Sequence, residues 1–163
     1  MKLLYFFTIA IVISWSSANA ETIPVSWKTH KVNTAIGMNT GTSGQIFYNC
    51  DSAERQVESF LEDLGATNIN IRCTGGLEPW GGITTIARVH GSFDTMMYDP
   101  NGQELAEMTS IRLRGWDNCA LIAELFWVWD DKFTIENLRG MGSRPTPSCR
   151  TDRNYNVQLD IAL

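Results

Sequence analysis

The chain has 163 residues, of which 44% are hydrophobic and 19% are charged. These fractions are typical of a folded globular core and argue against a disordered tail or a coiled coil. With 13 basic and 18 acidic residues the formal net charge is −5, so the chain is a poor generic partner for nucleic acid or for an anionic membrane surface. The length suits one ordinary domain.

The N-terminus has the pattern of a cleaved export signal. Lys2 precedes an apolar run from Leu3 to Trp15, and a short segment then ends in Ala18-Asn19-Ala20. A charged start, a short apolar stretch and an A-x-A site are typical of signal peptides, and the run is shorter than the roughly 20 residues of a transmembrane helix. We therefore predict a cleaved signal over residues 1–20, a single exported domain over 21–163, a periplasmic or secreted location, and no membrane insertion afterwards.

Four cysteines follow the leader, namely Cys50, Cys73, Cys119 and Cys149. An even number of cysteines in an exported chain predicts two disulfides. The spacings are wide and contain no C-x-x-C, which argues against thioredoxin-like redox chemistry and zinc-ribbon ligation.

The first part of the chain alternates between apolar and polar residues. Residues 22–32 are predicted to form a strand, with Ile23, Val25 and Trp27 on one side and Ser26, Lys28 and His30 on the other. A Gly/Asn/Thr/Ser loop follows over 33–44, and residues 45–50 are predicted to be a second strand.

A helix is predicted after this strand. Asp51 is the expected N-cap, and Glu54 lies three residues later, as in a capping box. Gly65 supplies the expected left-handed stop. Residues 68–73 and 83–89 are then predicted to be strands, separated by a loop over 74–82. The apolar face of this helix is predicted to consist of Ala53, Val57, Phe60, Leu61 and Leu64.

The second part begins with a strong turn signal, Asp99-Pro100-Asn101-Gly102, predicted to join residues 92–98 and 103–108 as a hairpin. A short helix over 104–108 is the alternative. Residues 109–114 are predicted to be a strand, and Asp117 is the expected cap of a second helix over 118–129. A strand over 133–138, a loop over 139–154 and a strand over 155–163 complete the chain.

The two halves share an order of elements and not a set of identical residues. Each is predicted as β-α-β-β, over about 45–90 and 109–163, with one cysteine where the helix begins. The predicted fold class is α+β, with two helices packed on one face of a mostly antiparallel sheet. A ferredoxin-like arrangement is the alternative. If the strands flanking each helix are parallel neighbours, their ends meet, which favours disulfides Cys50–Cys73 and Cys119–Cys149.

No catalytic motif stands out. There is no G-x-S-x-G, and His30 and His90 are predicted to be solvated surface residues. The histidines lack the spacing of metal ligands, and Asp130-Asp131 is the expected solvated end of a helix. We predict no cofactor and no metal. Paired carboxylates for glycoside cleavage stay open, because their separation is a spatial fact.

Two loops are the candidate binding elements. Trp80 lies in a Gly/Pro loop, where an indole ring offers a large contact area at low entropy cost. The other loop concentrates positive charge, and such a set suits a carboxylate, a phosphate or an acidic partner. Its arginines are Arg139, Arg144, Arg150 and Arg153.

These observations favour a non-enzymatic exported domain that binds a protein partner in the cell envelope or outside the cell, or a ligand. One narrower alternative is an inhibitor or immunity protein for a secreted hydrolase, for which loops held by disulfides are suited. The other alternative is a small extracytoplasmic hydrolase, which predicts a cleft that holds His90 or a carboxylate pair.

Overall fold

The computed structural model of the protein describes residues 21–37, 47–77, 83–115, 119–139 and 155–163. These residues form six strands and two α-helices. Their bounds are β1 Thr22–Ala35, α1 Cys50–Asp63, β2 Thr67–Leu77, β3 Ile83–Tyr98, β4 Glu104–Gly115, α2 Cys119–Trp129, a 3-10 helix Asp130–Lys132, β5 Ile135–Arg139 and β6 Tyr155–Ala162.

The six strands form one antiparallel sheet in the order β2-β3-β1-β4-β6-β5, with two helices packed against it. The predicted α+β class is confirmed. The first section of the sheet, β2-β3-β1, and the second section, β5-β6-β4, have the same internal order. Each section takes its strands from a β-α-β-β unit, but the first unit begins with β1 and not with the strand predicted over 45–50. The ferredoxin-like alternative requires a β-α-β-β-α-β order, which this chain does not follow.

The first unit begins with β1, because the strand predicted over 45–50 is wrong for its described residues. Residues 47–49 lie outside any strand, and Cys50 is the first residue of α1. The Asn49 side chain accepts a hydrogen bond from the backbone N–H of Ser52 at 3.1 Å and so caps the helix. The predicted cap, Asp51, instead lies within the first turn. A helix cap one position after an apolar run is easily mistaken for the end of a strand.

The predicted hairpin is also wrong, although its turn is confirmed. The backbone N–H of Gly102 donates to the carbonyl of Asp99 at 2.8 Å, as a tight turn requires. However, the strands on either side of the turn do not pair with each other, because the start of β1 lies between them. Val25 is opposite Tyr98 on one side and opposite Glu104 on the other.

The two sections meet over a short overlap. β1 pairs with β4 only from Thr22 to Val25, whereas β4 pairs with β6 from Met108 to Gly115. The sections therefore extend in opposite directions from this junction. The backbones of Glu21 and Leu163 both hydrogen-bond to β4 there, at Met108 and Glu107 respectively.

The main core lies between the sheet and both helices. The Phe60 ring of α1 lies 5.9 Å from the Phe126 ring of α2, and Trp129 of α2 lies 5.6 Å from Phe93 of β3, measured between ring centroids. These contacts make one continuous apolar cluster from the two halves. The predicted apolar face of α1 is confirmed, since each of its members is buried.

Strand β1 turns a different side to this core from the one predicted. His30, Val32 and Thr34 face the helices and are buried, whereas Trp27 lies on the opposite face and is 43% exposed. The polar members of the buried side are satisfied by hydrogen bonds. Thr34 accepts one from the indole N–H of Trp129 at 3.1 Å. Such partners come from distant elements, so alternation in β1 alone does not determine which side is buried.

Strand β3 is a single strand through the two segments predicted as separate. Gly91 lies at its centre with φ +147°, and a side chain there would collide with the backbone carbonyl of Asn70 in β2. The glycine therefore permits a close approach of two strands and does not end one.

Candidate functional site

The predicted binding loops lie largely outside the described residues. This applies to Trp80, Arg144, Arg150 and Arg153. Arg139 is the last residue of β5, opposite Gln158, and its side chain is outside the described part. The loop hypothesis, and with it the inhibitor alternative, stays a prediction.

One of the two predicted disulfides is present. Cys50 at the start of α1 is bonded to Cys73 within β2, with their Cα atoms 5.2 Å apart. The pairing is as predicted, but the bridge joins a helix terminus to the strand beneath it and not the ends of two parallel strands. Cys119 is the first residue of α2, with its side chain outside the described part, and Cys149 lies outside it altogether.

Glu54 reinforces this bridge. Its carboxylate accepts the backbone N–H of Cys73 at 2.9 Å and pairs with Arg72 at 2.8 Å. The hydrogen bond from Cys73 holds the pKa of Glu54 below its usual range, with a smaller contribution from Arg72. The residue predicted to complete a capping box therefore ties α1 to β2 instead.

His30 is buried, contrary to the prediction of a surface position. Its Nε2 lies 2.9 Å from the Thr95 hydroxyl, which itself donates to the carbonyl of Lys132 at 2.6 Å. Because the hydroxyl proton is used for Lys132, Nε2 acts as the donor to Thr95. The imidazole also lies 5.5 Å from the Phe93 ring. This chain of contacts fixes the 3-10 helix to the sheet and leaves the imidazole inside the core.

Tyr48 carries a buried hydroxyl that has no hydrogen-bond partner in the described part of the chain. Burial, followed by the nearby charge of Glu124, raises the pKa of this phenol, so the hydroxyl stays protonated. Glu124 itself accepts the backbone N–H of Gly37 at 2.9 Å. The Tyr48 backbone carbonyl accepts from Leu77, so this tyrosine links the start of α1 to the end of β2.

The helices leave a shallow apolar crevice that is too narrow to hold a water molecule. Asp130 is the one charged residue in its lining, and the remainder is aliphatic or aromatic. The crevice is lined by Phe60, Leu64, Phe126, Trp129, Asp130, Phe133 and Ile135. Most of these residues already belong to the main core, so the crevice is the seam between the helices.

The side of the first section turned away from the helices offers a broader surface, here called the outer face. Residues opposite each other in an antiparallel ladder share a face, so the register gives its rows directly. From one end to the other the rows are Thr74-Arg88-Ala35, Arg72-His90-Asn33, Asn70-Ser92-Lys31, Asp94-Thr29, Met96-Trp27 and Tyr98-Val25.

One end of the outer face is aromatic. Trp27 lies directly opposite Met96, and the next row brings Tyr98, which is 57% exposed. Met96 is half-buried against a second apolar cluster at the junction of the two sections, which includes Val25 and Ala106. The two exposed rings therefore stand on a firmly packed base.

The other end of the outer face is cationic. Lys31 and Arg88 are exposed, and the Arg88 guanidinium donates to the Asn33 side chain at 3.2 Å. Arg72, although paired with Glu54, leaves 68% of its side chain exposed. His90 lies half-buried in the middle of this set.

Asp94 separates the two ends. Its carboxylate accepts a hydrogen bond from the Asn68 amide at 2.7 Å. Hydrogen bonds from Thr29 and Asn68 hold the pKa of Asp94 below its usual range, so the group is ionised at neutral pH. Along the strands, the outer face is therefore aromatic at one end, anionic at Asp94 and cationic at the other end.

The amino-acid sequence alone predicts part of the outer face. The alternation places Trp27 and Val25 on one side of a strand, but it does not show that Trp27 is exposed while Val25 is buried, and it predicts β3 as two pieces. The outer face depends on the pairing of β1 with β3, whose partners are about 65 residues apart in the chain.

Neither a metal cluster nor a membrane span is found in the described ranges. Those residues hold no group of three or more His, Cys, Asp or Glu side chains arranged for a metal ion. Within the same ranges, the helices are too short or too polar to cross a bilayer.

The chain matches no protein-family model, no curated protein and no solved structure.

Proposed function

We propose that the protein is an exported, non-enzymatic interaction domain, and that a folded protein partner docks on the aromatic end of the outer face. The observation that carries this proposal is the exposed pair Trp27 and Tyr98, with Met96 opposite Trp27 and packed against the second apolar cluster. Aromatic residues, methionine and arginine are the residue types enriched at protein interfaces, and this face carries all three.

Exposure of two aromatic rings to water is unfavourable in free energy, and this supports a binding role for the outer face. A tryptophan that is 43% exposed and a tyrosine that is 57% exposed leave much aromatic surface in water, which burial in a partner would relieve. Trp27 and Tyr98 lie on two strands that pair with each other, with β1 and β3 opposite each other from Val25 to Ala35. A rigid base lowers the entropy cost of binding.

Export is supported by the Cys50–Cys73 disulfide, because such bonds persist mainly in oxidising compartments. The same bond holds α1 to β2 and so stiffens the section that carries the outer face. In the chain-entropy model, a bridge closing this 23-residue separation contributes about 3 kcal/mol to stability.

The test uses the purified protein as bait for the envelope and secreted fractions of its own cell. The recovered partner is then purified, and its dissociation constant is measured by calorimetry. We expect Trp27→Ala, and separately Tyr98→Ala, to weaken binding by about ten-fold or more, as for central interface aromatics.

Leu105→Ala is the matched control, because Leu105 is 72% exposed and lies on the other face of β4. This variant should bind as the original chain does. Circular dichroism should show that all three variants keep the fold, since each side chain is exposed. Unchanged affinity in a Trp27→Ala/Tyr98→Ala double variant would overturn the proposal.

A further inference from the structure

We infer that the partner carries an acidic patch, set about 13–27 Å from the site that receives Trp27, and that this patch meets the cationic end of the outer face. This inference rests on the proposed function and adds the chemistry of the partner. The distance follows from the rows: Lys31 lies four residues along β1 from Trp27, and Ala35, which is opposite Arg88, lies eight residues from it.

The cationic side chains at this end of the outer face remain exposed to solvent. Lys31 and Arg88 are exposed, and the neighbour that Arg88 contacts is the uncharged Asn33 side chain. Arg72 makes an ion pair with Glu54, which also accepts the backbone of Cys73, yet most of the guanidinium side chain stays exposed. Three side chains from three strands thus present positive charge on one surface.

This surface stands out against the charge of the whole chain, which is −5. Helix α1, on the opposite side of the sheet, carries five acidic residues against the single cation Arg55, namely Asp51, Glu54, Glu58, Glu62 and Asp63. One of them, Glu54, pairs with Arg72. A molecule with one acidic and one cationic side is oriented by the field of an acidic partner before contact, which speeds productive encounter.

Asp94 distinguishes an acidic protein patch from a flexible polyanion. A nucleic acid or an acidic glycan stacked on Trp27 and running to Lys31 would pass over the ionised carboxylate of Asp94. Such polymers favour grooves in which cations line the whole path beside the aromatic rings. A folded protein places a different group opposite each part of the outer face: an apolar pocket, a neutral or cationic group, and an acidic patch.

The experiment measures association rates of the purified partner at several salt concentrations. Lys31→Glu/Arg88→Glu should lower the association rate by about ten-fold at low salt and flatten its dependence on ionic strength. The single reversals Lys31→Glu and Arg88→Glu should each slow association more than Arg55→Glu, a single charge reversal on the exposed side of α1. Trp27→Ala should raise the dissociation rate and keep the salt dependence.

The outcomes separate the two proposals. If Trp27→Ala weakens binding while Lys31→Glu/Arg88→Glu leaves the rate and its salt dependence unchanged, the acidic patch is refuted and the docking face stands. If neither variant matters, the docking face is refuted. Polygalacturonate and single-stranded oligothymidylate serve as defined polyanions. Saturable binding of either that is lost in both Trp27→Ala and Lys31→Glu/Arg88→Glu would identify the face as a polyanion site and overturn the inference.

Discussion

The surroundings of His30 favour the neutral form of its imidazole in the folded chain. Burial is the largest effect and lowers the pKa of the imidazole below 6.5, and the positive charges of Lys132 and Lys28 lower it further. Asp131 and Asp94 act in the opposite direction but more weakly. The Thr95 hydroxyl completes the environment by accepting from Nε2. A neutral imidazole is therefore part of the packed structure.

Stability should consequently fall as the solution becomes acidic. Because the folded-state pKa of His30 lies below its unfolded value near 6.5, the unfolded chain takes up the proton first. The stabilising contribution is fully present above that value and is lost as the pH falls through the folded-state pKa. We expect His30→Gln, which keeps an N–H donor for Thr95, to show a shallower loss of unfolding free energy between about pH 7 and about pH 5 than the original chain. Urea titrations at each pH measure it, and equal slopes in the two proteins would contradict the assignment.

Single residues also show what local sequence leaves open. The alternation around Trp27 and His30 correctly predicts a strand, yet His30, predicted to be solvated, is buried, and Trp27 is 43% exposed. An isolated strand has two faces, and the one with more apolar residues is the natural candidate for burial. Here a distant threonine satisfies the imidazole, so His30 is buried beside Val32 and Thr34, whereas Val25 is buried on the other face.

Helix α1 was predicted well in its interior and less well at its start. The spacing of Val57, Phe60 and Leu61 fixes its apolar face from local sequence, and Gly65 ends it with φ +76°. The cap is predicted at Asp51, but Asn49, two residues earlier, has a side chain that is equally suitable. In the structure Asn49 caps the helix, and Cys50, the next residue, is bonded to Cys73.

The choice of cap has a measurable consequence. Asn49→Ala should lower the free energy of unfolding by about 1 kcal/mol, because the backbone N–H of Ser52 loses its side-chain acceptor. Asp51→Ala is the matched control and should cost about 0.3 kcal/mol, the scale of a charge near a helix N-terminus. Denaturation with the disulfide intact measures both. A larger loss for Asp51→Ala than for Asn49→Ala would show that the helix begins later.

At the scale of the whole molecule, the insertion of β1 between β3 and β4 joins the two halves. The turn from Asp99 to Gly102 crosses the start of β1, and Gly102 lies directly against the backbone of Val25. The Asp99 backbone N–H also donates to the carbonyl of Pro24 at 3.0 Å. The turn therefore packs against a third strand, which a simple hairpin would not require.

The contact between Gly102 and Val25 predicts that a side chain at position 102 destabilises the fold, which a simple hairpin would not show. A Cβ at position 102 would collide with backbone atoms of Val25, which do not move as a flexible side chain does. Gly102→Ala should therefore lower the free energy of unfolding by about 1–3 kcal/mol, as for overpacking in a core. Asn101→Ala, at an exposed position in the same turn, should change it by less than about 0.5 kcal/mol. Equal effects of the two substitutions, measured by urea denaturation, would argue against the inserted strand.

The sequence by itself determined the α+β class, most of the elements, and the pairing of Cys50 with Cys73. Those features follow from periodicity, turn chemistry and short loops, which act over a few tens of residues. The tertiary structure alone decided the neighbours of β1, the burial of His30 and the exposure of Trp27 beside Tyr98. The physical reason is that an antiparallel strand has two edges and two faces, and their partners come from residues far along the chain, whose contacts no local pattern specifies.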